Sequence, residues 1–169
     1  ALGFILLGEF SLAEETSKKI EKIIEKSIHI ELKAIHLMVQ CLLANHLGEF
    51  AKVQILVGKL QAEIEKHGII YMIPWTYEIS AYLMAAQGEF SEAEKIGKDY
   101  LSEAISLKNG LLKGLAFRLL GLIYLYNNDF EKAREAIDQS MDAFSSEGRS
   151  RYHLNRTRIP MGLVCTHLR

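Results

Sequence analysis

The sequence predicts an all-α fold of stacked antiparallel helical hairpins, an α-α superhelix of the solenoid type. Three observations predict it. Gly8-Glu9-Phe10, Gly48-Glu49-Phe50 and Gly88-Glu89-Phe90 recur every 40 residues, and Asn128-Asp129-Phe130 follows at the same step with the same small-acidic-aromatic chemistry. Apolar residues fall at helical spacing, as in Leu115, Leu119, Leu122 and Tyr126, and no run keeps the period of two that a strand needs. Proline, which disrupts helix interiors, occurs only at Pro74 and Pro160.

The elements follow from this register. A helix end over 1–7 precedes the first turn, and helices are expected over 10–27, 30–46, 49–67, 71–87, 90–107, 111–126 and 130–145, with a last, imperfect one over 151–168. At each turn the small residue permits a sharp bend. The acid after it (Glu9, Glu49, Glu89, Asp129) stands where a carboxylate can meet the unpaired amides and positive end of the next helix. Three residues after each aromatic comes a small side chain (Ala13, Val53, Ala93, Ala133), and the copies continue through Ile20, Leu60, Tyr100 and, less regularly, Ser140. The register predicts equivalent buried positions for Phe10, Phe50, Phe90 and Phe130. Pro160 is expected to kink or break the last helix.

The whole chain, 1–169, reads as one repeat domain with its register at 8, 48, 88 and 128. It opens and closes in mid-repeat, as a slice of a longer protein would. Phe4, Ile5 and Leu6 at one end and Met161, Leu163 and Val164 at the other are then expected to be exposed half-repeats that favour self-association.

Of the 169 residues 49% are hydrophobic and 24% charged, with a formal net charge of -1, so there is material for a continuous core and no overall basic bias to draw nucleic acid. The arginines near the C-terminus (Arg149, Arg151, Arg156, Arg158, Arg169) read as the solvated face of one helix. The apolar start is too short to span a bilayer and lacks a basic lead-in. Cys41 and Cys165 form no CxxC pair, so neither a disulfide framework nor a zinc site is indicated, and a reducing cytoplasm is the expected location.

Helix-facing spacings bring no convincing catalytic or cofactor-binding set together. His29 and His36 lie seven apart with Glu31 between them, but they do not form H-E-x-x-H and no second ligand pair accompanies them. Gly110-Leu111-Leu112-Lys113-Gly114 lacks the strand and the Gly-Lys-Ser/Thr of a phosphate loop, and reads as a helix junction. Opposite charges three or four apart, such as Glu14-Glu15 with Lys18-Lys19, read as solvent-facing pairs. The expectation is a non-enzymatic chain that needs no metal and no cofactor.

Leu120-Gly121-Leu122-Ile123-Tyr124 followed by Asp129-Phe130-Glu131-Lys132-Ala133 resembles a tetratricopeptide repeat. In that family an aromatic, Leu-Gly and Tyr mark the first helix, and Asp-Tyr-x-x-Ala opens the second. Phe117, Leu120, Gly121, Tyr124 and Ala133 take those positions; Tyr77, Ser80, Ala81 and Met84, and Leu37, Gln40, Cys41 and Ala44, match more loosely. The period here exceeds the family's roughly 34 residues by about six, as in long-helix relatives found in bacterial signal-transduction regulators of the maltose-activator type.

The resemblance implies that the first helix of each hairpin lines a concave surface. Laid on the motif, that surface takes Ile35, Met38, Leu42, Asn45 and His46, then Trp75, Glu78 and Tyr82, then Leu115, Arg118, Leu122 and Tyr126. The candidate binding residues are accordingly Met38, Leu42, His46, Trp75, Glu78, Tyr82, Arg118, Leu122 and Tyr126. The function it implies is a protein-interaction scaffold holding a protein or peptide segment in the groove. The alternative is an effector-sensing segment of a multidomain transcription regulator that takes a small molecule there.

Overall fold

A computed structural model describes residues 8–24, 29–146 and 151–167. The expected helix end over 1–7, with Phe4, Ile5 and Leu6, lies outside these, as do Arg149 and Arg169. Among the described residues there are eight α-helices and no strands: α1 (Phe10–Ile24), α2 (Ile30–His46), α3 (Phe50–His67), a 3-10 turn (Ile70–Met72), α4 (Ile73–Ala86), α5 (Phe90–Ser106), α6 (Gly110–Tyr126), α7 (Phe130–Ser146) and α8 (Arg151–His167). Even-numbered helices correspond to the first helix of a hairpin and odd-numbered ones to the second.

The chain forms two compact units, Ala1–Ile79 and Ser80–Arg169, with the boundary inside α4. In the first unit α2 packs against both α1 and α3. In the second, α5 packs on α6, α6 on α7 and α7 on α8, and α6 also touches α8 across the intervening helix, which is the stacking of successive hairpins.

The repeated turn has one backbone geometry each time, and at Gly48, Gly88 and Asn128 it ends a described helix. Gly8, Gly48, Gly88 and Asn128 have φ of 76, 73, 80 and 59°, in the left-handed region. The amide of the following acid reaches back to close the helix: Glu49 N–H donates to Ala44 O at 2.9 Å, Glu89 to Met84 at 2.9 Å and Asp129 to Tyr124 at 2.9 Å. The left-handed residue donates to the carbonyl three before it, Gly48 to Asn45 at 3.1 Å and Asn128 to Leu125 at 3.1 Å. These two bonds are the Schellman closure, so the small residue of the motif belongs to the end of one helix rather than the start of the next.

The acids behave less uniformly than expected. Asp129 Oδ1 accepts from the Lys132 amide at 3.3 Å and caps α7. Glu49 and Glu89 occupy the same cap position without a side-chain bond to the helix amides. Their extra methylene carries the carboxylate past the amides, and Glu49 pairs instead with Lys52 Nζ at 2.7 Å. Asn109 caps α6 by accepting from the Leu112 amide at 3.1 Å, so the glycine-containing segment 110–114 is a helix start.

Packing follows the register closely. Ala13, Val53, Ala93 and Ala133 are all fully buried, as are Leu60, Tyr100 and Ser140 two turns further along the same face. Ser140 breaks the apolar row because its helix approaches α6 closely: its hydroxyl donates to Gly114 O at 2.8 Å, and Phe144 fills the space that a side chain at Gly114 would need. Phe10, Phe50, Phe90 and Phe130 do hold equivalent positions, the first residue of α1, α3, α5 and α7, but they are half-buried rather than buried. A residue at the very start of a helix lies at the rim of the hairpin, where one side of the ring stays in water.

Pro160 does not break α8, which runs unbroken from Arg151 to His167. The proline removes one backbone bond, but it is buried beside the fully buried Thr157 and Val164, and α8 stays seated on α7. Val164 is likewise not exposed: it forms a small core with Ala133 and Ile137, with Met161 half-buried against it, and Leu163 alone of the three expected end residues faces solvent.

Burial predicts different consequences for two phenylalanines of one helix. Phe144→Ala is expected to cost about 3–5 kcal/mol and Phe130→Ala about 1–2 kcal/mol in urea unfolding of the second unit's helices. Equal losses at the two sites would contradict this packing.

Candidate functional site

The candidate face lies on the even-numbered helices, and its residues fall into rows one repeat apart. The row Met38, Glu78, Arg118 is buried, at 5, 8 and 5% exposure. Four residues further along each helix, Leu42, Tyr82 and Leu122 are half-buried, and four beyond that His46 and Tyr126 are exposed, Tyr126 at 59%. The gradient is geometric. A step of four residues turns a helix by about 400°, so each row rotates about 40° from the last, carrying the stripe from core to solvent. Trp75, on the first turn of α4, is half-buried, Ile35 is exposed and Leu115 is buried.

In the first unit, Met38 belongs to the core of α2 while Leu42 and His46 reach the surface. The His46 ring stacks on Phe10 with centroids 5.5 Å apart and planes at 26°. In the second unit His167, last residue of α8, stacks on Phe130 in the same way at 4.5 Å and 22°. These rings cover part of the surface that the half-buried phenylalanines expose.

Arg118 takes an internal position. Its Nη1 lies 3.4 Å from His153 Nδ1, linking α6 to α8, and the His153 ring stacks on Phe144 of α7 at 5.3 Å. The guanidinium can only donate, so Nδ1 accepts and the ring proton resides on Nε2. Sequence reasoning did not single out His153, because it follows the repeat at a slipped register and carries no motif. Met38, Glu78 and Arg118 thus leave little surface, whereas Leu42, Tyr82, Leu122 and Trp75 are half-buried and Tyr126 is exposed.

On another side of the second unit, Tyr124 ties three helices together. Its hydroxyl donates to Glu94 Oε1 of α5 at 3.0 Å, and Lys132 of α7 lies over its ring at 5.5 Å. Glu94 also pairs with Lys98 Nζ at 2.7 Å; that ammonium, with the Tyr124 hydroxyl, holds its carboxyl below the usual range. The outward charges of the odd helices pair locally, Lys18 with Glu14 and Lys19 with Glu15 among them. A surface depression of about 370 Å³ between α6 and α7 is lined by Lys113, Phe117, Gln139, Asp142, Ala143 and Ser146.

His29 is exposed and His36 is buried, so the two do not meet in one solvent-facing pair. Among the described residues no group of three or more His, Cys, Asp or Glu side chains could hold a metal ion. Cys41 is fully buried and Cys165 exposed. No described helix is long and apolar enough to cross a membrane.

His36 Nε2 is buried with no hydrogen-bond partner among the described residues. Burial pushes the ring below its ordinary 6.5, and the charge of Glu21 on α1 offsets part of that effect. As pH falls below 6.5 the unfolded chain therefore takes up a proton that the folded chain resists, and stability is lost until the folded ring itself titrates. His36→Leu is expected to flatten the acid side of the stability profile between about pH 7 and 5 relative to the unsubstituted chain; an unchanged slope would mean that His36 protonates as freely folded as unfolded.

Comparison of the chain with known protein families, with curated proteins and with solved structures finds no match.

Proposed function

We propose that this chain is a protein-interaction scaffold, in the manner of the tetratricopeptide arrays it resembles, and that its even-numbered helices hold an apolar partner segment. One observation carries the reading. Leu42, Tyr82, Leu122 and Leu163 occupy one register position in four successive repeats; every one is large and apolar, and none is buried. Solvent would accept a lysine or glutamate at such a position without loss, as it does on the odd helices, where Glu14, Lys18, Glu92 and Lys95 stand. A large apolar side chain left half-buried in three copies and exposed in the fourth supports a repeated binding face.

The partner is argued from spacing. In the second unit the even helices α6 and α8 touch, and packed helices lie about 8–10 Å apart. An extended segment advances about 3.3 Å per residue, so apolar anchors three residues apart would meet successive helices. Two free cysteines and locally neutralised surface charges suit a reducing cytoplasmic setting.

The test is a peptide array in which apolar residues stand three apart, followed by affinity measurement on Leu122→Glu and Leu163→Glu chains checked for intact helicity. Binding is expected to fall about tenfold or more in each, and to be unaffected by Lys95→Ala on the odd-helix surface. A peptide that binds all three variants equally overturns the assignment. A small molecule that displaces the peptide and changes Trp75 emission would move the reading to the effector-sensing alternative.

A further inference from the structure

A joint between hairpins forms where an odd-numbered helix meets the even-numbered one that follows it. In the joint of α5 and α6, Leu120 and Ile123 close on Gly97, and Leu101 and the fully buried Ala116 stand one turn along. In the joint of α7 and α8 the corresponding residues are Ile137, Met141, Thr157 and Met161. Ile137, Met141 and Met161 share one apolar cluster, and the buried Thr157 hydroxyl is satisfied within its own helix, donating to His153 O at 2.9 Å.

The joint of α1 and α2 holds the same four positions 80 residues before those of α5 and α6, and all four are polar: Ser17, Glu21, His36 and Gln40. Ser17 is 4% exposed and His36 8%. Gln40 Nε2 donates to Glu21 Oε1 across the joint at 3.5 Å. His36 Nε2 is buried with no hydrogen-bond partner among the described residues, although a hydroxyl or a methyl suffices at this place in the other two joints. An unmade bond in a buried interface weakens that interface.

We propose that the joint of α1 and α2 is an acid-operated hinge, in which protonation of His36 parts α1 from α2 while α2 stays packed on α3. A protonated imidazole carries an N–H on both nitrogens, so Nε2 then presents a donor and part of a charge where no acceptor stands. Parting the helices gives both nitrogens to water. Burial already holds the ring below its ordinary 6.5, and Glu21 of α1 is the charge that acts against this. The other helix packed on α2 is α3, whose buried residues Val53, Leu56, Val57, Leu60 and Ile64 are all aliphatic and bring no charge to the ring. Because the closed joint resists the proton and the open joint does not, opening increases as pH falls below about 6.5, until the closed ring itself titrates.

A thiol placed by Ser17→Cys reports the opening, since that position is buried in the joint. Cys41 serves as the control. It is fully buried, and it stands 80 residues before Gly121, the position on which the following helix of the hairpin sits, so it reports loss of the α2 and α3 pairing instead. Labelling by a pyridyl disulfide is followed peptide by peptide by mass spectrometry, each rate being divided by that of the same thiol in denaturant at the same pH. Between pH 7.5 and 5.5 the normalised rate at position 17 is expected to rise about threefold to tenfold, with Cys41 still protected. His36→Thr is expected to fold, because the buried Thr76 and Thr157 hydroxyls already bond their own helices at Ile73 O and His153 O, and to abolish the rise. Glu21→Gln keeps an acceptor for Gln40, removes the charge that favours the protonated ring, and is expected to steepen the rise. No rise, a rise equal in His36→Thr, a rise reduced by Glu21→Gln, or Cys41 labelled in step with position 17 would each overturn the proposal.

Discussion

The turn that closes α2, α4 and α6 depends on one residue in a left-handed backbone conformation. At φ of 73° for Gly48 and 80° for Gly88, and 59° for Asn128, the chain reverses within three residues, and the next amide returns to the helix it has left. L-residues with a Cβ meet their own carbonyl in this region, which is why glycine and asparagine hold the place. Because the reversal is tight, the following helix lies against its predecessor, as α3 does on α2 and α7 on α6, with the turns 40 residues apart. Lys108, at φ 51° after α5, shows that the same closure also forms without glycine: its amide donates to Ile105 O at 3.0 Å and that of Asn109 to Ala104 O at 3.1 Å.

Close approach of the helices is the second consequence. Where α5, α6 and α7 meet, Gly97, Gly114 and Gly121 leave no space for a side chain, and Leu120, Phe144 and Ile137 occupy what they vacate. The contact surface of the even helices follows from this arrangement, since helices held at that distance can bury only one stripe each. Residues such as Met38 and Arg118 fall inside the stripe, and Leu122 and Tyr126 rotate out of it. Which side chains of these helices stay accessible is thus a by-product of how closely the hairpins pack.

Most of the helical map was legible in the sequence because turn residues at a fixed step state both where a helix ends and where its partner begins. Burial at the small positions Ala13, Val53, Ala93 and Ala133 was legible for the same reason. The phenylalanines were misjudged, since residue type indicates an apolar environment but not that the first residue of a helix sits at a rim. Equivalence of Glu and Asp at the cap failed on one methylene, a distance that only three-dimensional structure resolves. Continuity through Pro160 depends on tertiary contacts with α7, which local propensity cannot contain. Of the candidate face, the rows were legible and their depth was not: a stripe drawn at steps of four mixes core with surface. His153 carried no sequence signal, because its importance comes from meeting Arg118 and Phe144 across two helices.

Two glycine substitutions in one chain test the turn most directly. Neither Gly88 nor Gly58, in the middle of α3, has any atom within 4 Å of an added methyl, so neighbouring side chains do not contribute to either result. Gly88 has φ of 80° whereas Gly58 is helical. Urea unfolding of Gly88→Ala is expected to show a loss of about 1–2 kcal/mol, while Gly58→Ala gains up to about 1 kcal/mol. A Gly88→Ala chain as stable as the unsubstituted one would show that the left-handed turn does not set the register on which the hairpins depend.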